Sequence, residues 1–521
     1  MQWKVLAKTS TNIVVEVQDE KGEYFTNAYD VYLNGEKHFT TDKMIESVYG
    51  LEPDTEYEIC LKRDEQDMAK QMVRTEAEYV TLDVRAFGAK GDGETDDTAA
   101  LQAAILSCPK QGRVLITEGC YRFTHLFLKS YIRMEITKSA ELRAICDKRK
   151  LPVLPGRIES SDKKSEYIPS VWEGEPVASY ASLLTGMYVE DVVIYGGGVI
   201  DGNGSFDTWW DKEFFIDGPA RPRILFLNHC KDVTIHGVTL KNSPAWNAHP
   251  LFSENVKFID LEIQAPDNSR NTDGINPESC MGVEIAGIHF SVGDDCIAIK
   301  SGKMYMGKTY KTPSKDIVIR NCLMERGHGG VTIGSEVAAG VDNILVKNCY
   351  FLSTDRGLRV KTRRGRGKDS YVSGVTFEGV RMEGVRIPFV INCFYYCDPD
   401  GKTEYVRSKE PLPVDDRTPR VGTIKIKNVE CRDCHVVGLF FYGLPESKIE
   451  KVVMENVVIT YAKDAKPGRA AMMENCETSC RKGVFVRNAK AVKLKNVRIE
   501  GNEGEAVDLD EVDDWSWVAG I

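Results

Sequence analysis

Ile317-Val-Ile-Arg-Asn-Cys322 and Ile344-Leu-Val-Lys-Asn-Cys349 are two copies of one pattern. Two apolar residues alternate with variable ones, then comes a residue that tolerates a left-handed bend, then an apolar residue or cysteine. Upstream the pattern recurs as Val233-x-Ile235-x-Gly237-Val238, Val256-x-Phe258-x-Asp260-Leu261 and Val283-x-Ile285-x-Gly287-Ile288. Downstream it returns as Val375-x-Phe377-x-Gly379-Val380, Ile424-x-Ile426-x-Asn428-Val429, Val452-x-Met454-x-Asn456-Val457 and Val492-x-Leu494-x-Asn496-Val497. Alternation with period two marks a strand with one buried face, and Asn, Asp or Gly at its end marks a bend. Copies lie roughly 23 to 50 residues apart, the range of repeat architectures. Stacked coils of this kind predict an all-β parallel β-helix, which lets 521 residues share one elongated core. Asn at like positions should form a hydrogen-bonded ladder, and Cys322 over Cys349 should be stacked core. Insertions at about 146–185, 203–222 and 397–420 interrupt the period and should form loops beside the binding face.

Working outward, residues 1–77 read as a separate unit and 78–521 as the β-helix. Ile13-Val-Val-Glu-Val17, Asn27-Ala-Tyr-Asp-Val-Tyr-Leu33 and Glu56-Tyr-Glu-Ile-Cys-Leu61 are short alternating segments, and Asn34-Gly35 is a hairpin signal. Leu51-Glu-Pro-Asp-Thr-Glu-Tyr57 resembles the tyrosine-corner segment of fibronectin type III domains, with Tyr57 fixing a corner of a small β-sandwich. That unit could bind substrate or act as a spacer; it carries no aromatic row that favours binding. Between the two parts, Asp83–Asp97 is acidic and glycine-rich, but lacks the ligand spacing and closing glutamate of an EF-hand. A turn followed by Asp96 or Asp97 capping a helix through Ala99, Ala100, Leu101, Ala104 and Ile105 accounts for it.

The net charge of -10 argues against a general nucleic-acid partner, and no apolar run is long enough to span a bilayer. Met1-Gln-Trp-Lys-Val-Leu-Ala-Lys8 has no apolar stretch of signal-peptide length, which predicts a cytoplasmic protein, with secretion by another route left open. The 15 cysteines follow no framework spacing and read as reduced, mostly buried residues. Cys431-Arg-Asp-Cys434-His435 matches the haem-attachment string but falls inside a repeat copy, so it is read as core.

Four polar clusters interrupt the repeats in order: Asn271-Thr272-Asp273, Gly293-Asp294-Asp295, Gly327-His328-Gly329-Gly330 and Arg359-Val360-Lys361. Three carboxylates, a histidine and two cations suit hydrolysis of a bond in an acidic sugar. Carboxylates supply general acid and base, and cations hold a substrate carboxylate. Strict alternation would bury Asp295, so a bulge or turn at Gly293–Asp295 is expected to let both aspartates face the cleft. Three carboxylates this close cannot all be ionised cheaply, so one should hold a proton near neutral pH. His328 between glycines leaves room for close backbone approach to a ligand. Trp209 and Trp210, in an insertion, could stack on sugar rings or simply pack.

The four clusters, with the fuller strings Ser291–Gly302 and Arg356–Gly367, resemble the polygalacturonases of glycoside hydrolase family 28. The similarity is greatest to the bacterial exo-acting branch with an N-terminal fibronectin type III-like domain, and it runs from about Val80 to near the C-terminus. The resemblance implies a right-handed parallel β-helix whose entering helix covers the open end of the core. It also implies exo-hydrolysis of α-1,4-galacturonosidic bonds in pectin-derived oligomers, with inversion and no metal or other cofactor. Asp294 would then be the acid, Asp273 and Asp295 would activate water about 6.5–9.5 Å away, and His328 would set the protonation of the acid. Arg359 and Lys361 would grip a galacturonate carboxylate, with Lys300 a lesser companion. Trp246-Asn-Ala-His249-Pro250 would line the cleft, and Asn271 would lie beside substrate. Other family 28 galacturonosidases acting on rhamnogalacturonan or unsaturated oligomers, a calcium-dependent pectate lyase, and a non-catalytic polyanion-binding β-helix remain as alternatives.

Overall fold

The computed structural model describes residues 2–19, 22–64, 66–211 and 218–518. Part of the insertion expected at 203–222 therefore lies outside the described residues.

Seven antiparallel strands open the chain: β1 (Gln2–Lys8), β2 (Asn12–Gln18), β3 (Phe25–Leu33), β4 (Glu36–Lys43), β5 (Ile45–Tyr49), β6 (Glu56–Arg63) and β7 (Gln66–Arg74). They form a three-stranded sheet in the order β1-β2-β5 and a four-stranded sheet in the order β4-β3-β6-β7. Trp3, Ile13, Val15, Val31, Ile59 and Leu61 fill the space between them. The amide of Glu52 donates to the Tyr57 hydroxyl at 2.8 Å, the bond of a tyrosine corner.

The sandwich is docked rather than tethered. Val14, Met44 and Ile45 bury apolar surface against Ile259 and Ala286 of the following domain. Ion pairs Lys43–Asp260 (3.1 Å) and Arg320–Glu16 (2.7 Å) flank that contact. The Tyr49 hydroxyl donates to the Gly237 carbonyl at 3.1 Å. These contacts all fall on residues near the bends after repeat copies, at one corner of the long domain.

From Val80 onward the strands of the coils are parallel, and only short pairs in the insertions and at 468–479 run antiparallel. The first apolar position of every repeat copy stacks in register, Val233 on Val256, Val283, Ile317, Ile344, Val375, Ile424, Val452 and Val492 in turn. The stack extends before the first recognised copy, through Val192 and Val233. Each bend residue has positive φ, from Asn321 (51°) and Asn348 (51°) to Gly237 (74°), so the sequence rule for the repeat is a rule about backbone handedness. The Asn ladder is present: Asn456 donates to Asn428 and Asn496 to Asn456, each at 2.8 Å. Cys322, Cys349, Cys431 and Cys434 are buried in the single long core, and all 15 cysteines are unpaired.

Helix α1 (Thr98–Ser107) covers the N-terminal end with Leu101, Ala104 and Ile105. Of the two expected caps, Asp96 takes the role. The Asp97 carboxylate turns back to the amides of Lys90 and Gly91, while Asp96 accepts from the Thr98 amide and hydroxyl. At the other end Trp515 and Trp517 pair in register with the core residues Val492 and Leu494. Trp209 and Trp210 are buried with Leu151, so of the two roles considered they take packing. Among the described residues no helix is long and apolar enough to cross a membrane.

Candidate active site

The site is built on another face of the coils, where Ala248, Ile275, Ile297, Val331 and Leu358 stack in register. Two residues before each of these core positions the chain arrives from a bend, and there the polar clusters align. Gly274 N donates to Asp295 O (3.0 Å), Cys296 N to Gly329 O (2.8 Å) and Gly330 N to Arg356 O (2.8 Å). Asp273, Asp295 and Gly329 are thus neighbours on successive coils. One residue earlier, His328 N donates to Asp294 O at 3.0 Å, so His328 lies against Asp294.

The turn expected at Gly293–Asp295 is there, but it leaves only Asp294 open, since Asp295 is buried under Arg359 and Lys361. One strand ends at Ser291 and the next starts at Ile297, which releases both aspartates from strand alternation. Glycine is required at 293 because a Cβ would sit 2.4 Å from the Ser269 carbonyl oxygen. At 329 a Cβ would meet the Thr332 hydroxyl at 2.3 Å and Asp295 Oδ1 at 2.7 Å. Gly329 beside His328 therefore makes room for the protein's own carboxylate, a tighter use than the open ligand approach expected from sequence.

The two aspartates of the turn differ. Asp294 keeps 22% of its side chain exposed and its Oδ1 lies 3.4 Å from His328 Nδ1. Asp295 is 2% exposed, beneath Lys361 Nζ at 3.1 Å and Arg359 at 3.3 Å. Burial alone would raise the Asp295 carboxyl, but the charges of Lys361, Arg359 and His328 outweigh it and hold the group well below the usual carboxylate range. Asp273 is also buried and accepts from Asn276 Nδ2 at 3.0 Å. Its burial, reinforced by the charge of Asp294, pushes its carboxyl well above the ordinary value. Lys300 offsets only part of this rise, so burial shifts Asp273 in the direction opposite to Asp295. The hydrogen bond with Asp294 is the main reason the His328 imidazole is raised.

The remaining expected residues divide. Arg359 and Lys361 do share one strand, Arg356–Lys361, but point first at Asp295. Lys300 is buried and paired with Glu336 at 3.0 Å, so it is not an open cation. Asn271, at the lip, accepts from Arg221 at 2.6 Å. Trp246 and His249 do not line an open cleft. The insertion around Trp172 lies on them: Trp172 stacks on Trp246 at 4.9 Å, and Trp246 is 2% exposed. His249 is fully buried, bonded to Glu278 at 2.9 Å, and burial keeps its imidazole well below the ordinary value. An intervening insertion can cover a coil that the repeat pattern alone leaves facing solvent.

Three residues escaped the sequence reading. Arg221 is buried and donates to the carbonyls of Pro244 and Arg270, both at 3.0 Å, close to Asp273 and Asp294. Tyr395 places its ring 5.6 Å from Lys361 Nζ, and Met472 accepts from Arg359 at 3.0 Å. All three come from segments that interrupt the repeat, where no motif marks them. Among the described residues no three His, Cys, Asp or Glu side chains converge as a metal-ligand set.

Comparison with known proteins agrees with this geometry. The profile of glycosyl hydrolases family 28 matches residues 172–480, more than half of the chain, and that of rhamnogalacturonase A/epimerase, pectate lyase-like proteins matches residues 81–137. A probable polygalacturonase of Vitis vinifera is 33% identical over 326 residues, 58% of this chain and 63% of that protein, so the chain spans a little under two thirds of that relative. A hyperthermoactive exopolygalacturonase of Thermotoga maritima superposes with TM-score 0.62 at 27% identity, covering 75% of this chain and 89% of that one. A family 28 exopolygalacturonase of Yersinia enterocolitica shares the fold over 99% of this chain and 98% of its own, with TM-score 0.72 at 20% identity. With its four polar clusters brought together on one face of a parallel β-helix, this chain belongs to glycosyl hydrolase family 28.

Proposed function

We propose that the protein is an exo-acting polygalacturonase that hydrolyses the α-1,4 bond of oligogalacturonates from the non-reducing end with inversion, releasing galacturonic acid. The observation that carries this reading is the trio of aspartates gathered on adjoining coils, two buried and one open. Two cations hold the Asp295 carboxyl low, burial raises that of Asp273, and Asp294 keeps its side chain partly exposed beside His328. Asp294 is the carboxyl positioned to protonate the glycosidic oxygen, with His328 as the positioning residue against it. Asp295, held as the carboxylate, serves as base toward a water on the opposite face of the sugar. Asp273, buried one coil away, acts with Asp295 on that water, as the resemblance implies.

Arg359 and Lys361 have donors to spare. A guanidinium carries five N–H groups and an ammonium three, so each can bridge Asp295 and a substrate carboxylate. Exo action is supported by the insertion around Trp172, which covers Trp246 on the coil before Asp273. The Thermotoga relative, called an exopolygalacturonase, points the same way. Fifteen unpaired thiols support a reducing, cytoplasmic setting, where the substrates are short oligogalacturonates already taken up by the cell.

The test is proton NMR of trigalacturonate digested in the presence of EDTA from the earliest time points. The expected first product is free galacturonate as the β-anomer. Retained α-anomer, vinylic signals that need calcium, or internal cleavage as the first event would each overturn the reading.

A further inference from the structure

Beside the Arg359–Lys361 pair, two loops that interrupt the repeat enclose a second cavity of about 420 Å³. One wall carries the short helical turns Pro399–Lys402 and Glu404–Arg407. The other is a hairpin in which Gly468–Arg469 pairs antiparallel with Thr478–Ser479. Lys402, Arg407 and Arg469 line the cavity together with Glu474, Tyr396 and Met473. Glu474 is engaged by Arg407 at 2.7 Å. Among the described residues Lys402 and Arg469 form no ion pair with a carboxylate of the protein. Two uncompensated cations thus face a cavity in a chain whose net charge is -10.

The cavity's lining adjoins residues of the catalytic groove along the chain. Tyr396 lines it, and the preceding Tyr395 lies against Lys361. Met473 lines it, and the preceding Met472 accepts from Arg359. Both walls are thus one residue away from groups that touch the cations of the groove. Tyr396 and Met473 add apolar surface of the kind a sugar ring packs on.

We infer that this cavity is a distal subsite that takes the carboxylate of a uronate ring beyond the two rings flanking the scissile bond, with Lys402 and Arg469 as its cations. The inference rests on the polygalacturonase reading and deepens it, since it assigns the chain a preference for acidic oligomers longer than the dimer.

The experiment reads the ratio of kcat/KM for tetragalacturonate to that for digalacturonate, with thermal unfolding as the check on folding. In the double variant Lys402→Gln, Arg469→Gln the ratio should fall about tenfold, the scale of two solvent-accessible charge contacts. In Glu474→Gln, which removes the one carboxylate of the lining and releases Arg407, the ratio should rise. A ratio unchanged in both variants, or both substrates slowed equally, overturns the subsite. Failure of the unsubstituted protein to cleave any galacturonate oligomer overturns the underlying activity instead.

Discussion

Replacing Lys361 with Met removes one of the two cations above Asp295. At 3.1 Å and an effective dielectric constant of about 20, Coulomb's law gives the lost attraction as about 5 kcal/mol. Part of this is recovered because the ammonium no longer has to be desolvated, and Arg359 stays at 3.3 Å. Breaking a buried pair costs about 3–5 kcal/mol, and the remaining cation favours the lower figure. Some 3 kcal/mol corresponds to a rise of about 2 units in the Asp295 carboxyl. The sign follows from linkage. A depressed carboxyl contributes stability that is present above its unfolded value of about 3.9 and is lost as pH falls through its folded value. In Lys361→Met the folded value climbs but stays below the unfolded one, so the stability deficit should hold steady from pH 7 downward and shrink only as pH falls through the variant's folded value, below the unfolded value of about 3.9. The assay pairs thermal unfolding midpoints from pH 7 to about 2 with the acid limb of kcat/KM, which reports the free enzyme. The acid limb should move up by about two units. A midpoint offset that is the same at every pH, with the acid limb unmoved, would falsify the assignment of Asp295 as a cation-clamped carboxylate.

Three further outcomes follow from the same geometry. Asp294→Asn should lower kcat by about 10²–10⁴-fold while calorimetry still detects galacturonate binding; retained turnover would remove Asp294 from the acid role. Trp246→Ala should lower the unfolding midpoint, reflecting a local loss of about 3–5 kcal/mol, and leave KM unchanged, because Trp246 is packed under Trp172; a raised KM at unchanged stability would return it to the cleft. Ile45→Asp places a charge in the contact with Ile259 and Ala286, so calorimetry should resolve an early sandwich transition from the main one; a single unaltered transition would show that the docking contact contributes little.

The repeat was legible because it is enforced residue by residue. Each copy needs two inward apolar side chains and a bend residue with positive φ, and only Asn, Asp or Gly meets the second need cheaply, so Asn321, Asn348 and Gly237 announce the coil by themselves. The coils before Val233 were missed because their bends and spacings are less regular, although Val192 stacks on Val233 as well as any later pair. The same enforcement brought Asp273, Asp294, Asp295 and His328 together, since consecutive coils in register place like positions one strand apart. Tyr57 declared the sandwich for a similar reason, its bond being to a backbone amide only five residues away.

What the tertiary structure decided is the charge state and exposure of each of those residues. Sequence placed Asp273 and Asp295 at equivalent positions on neighbouring coils, yet burial raises the carboxyl of one and cations hold that of the other low. The difference is the reach of Lys361 and Arg359 from a coil two turns away, and such long-range Coulomb terms have no local signature. Likewise Trp246 and His249 carried the marks of a groove residue, and only the folding of the insertion around Trp172 across them turned both into interior. Periodic local constraints specify a coil and the row of side chains on it. Burial and charge pairing depend on segments outside the repeat, whose positions are set by packing against the finished coil.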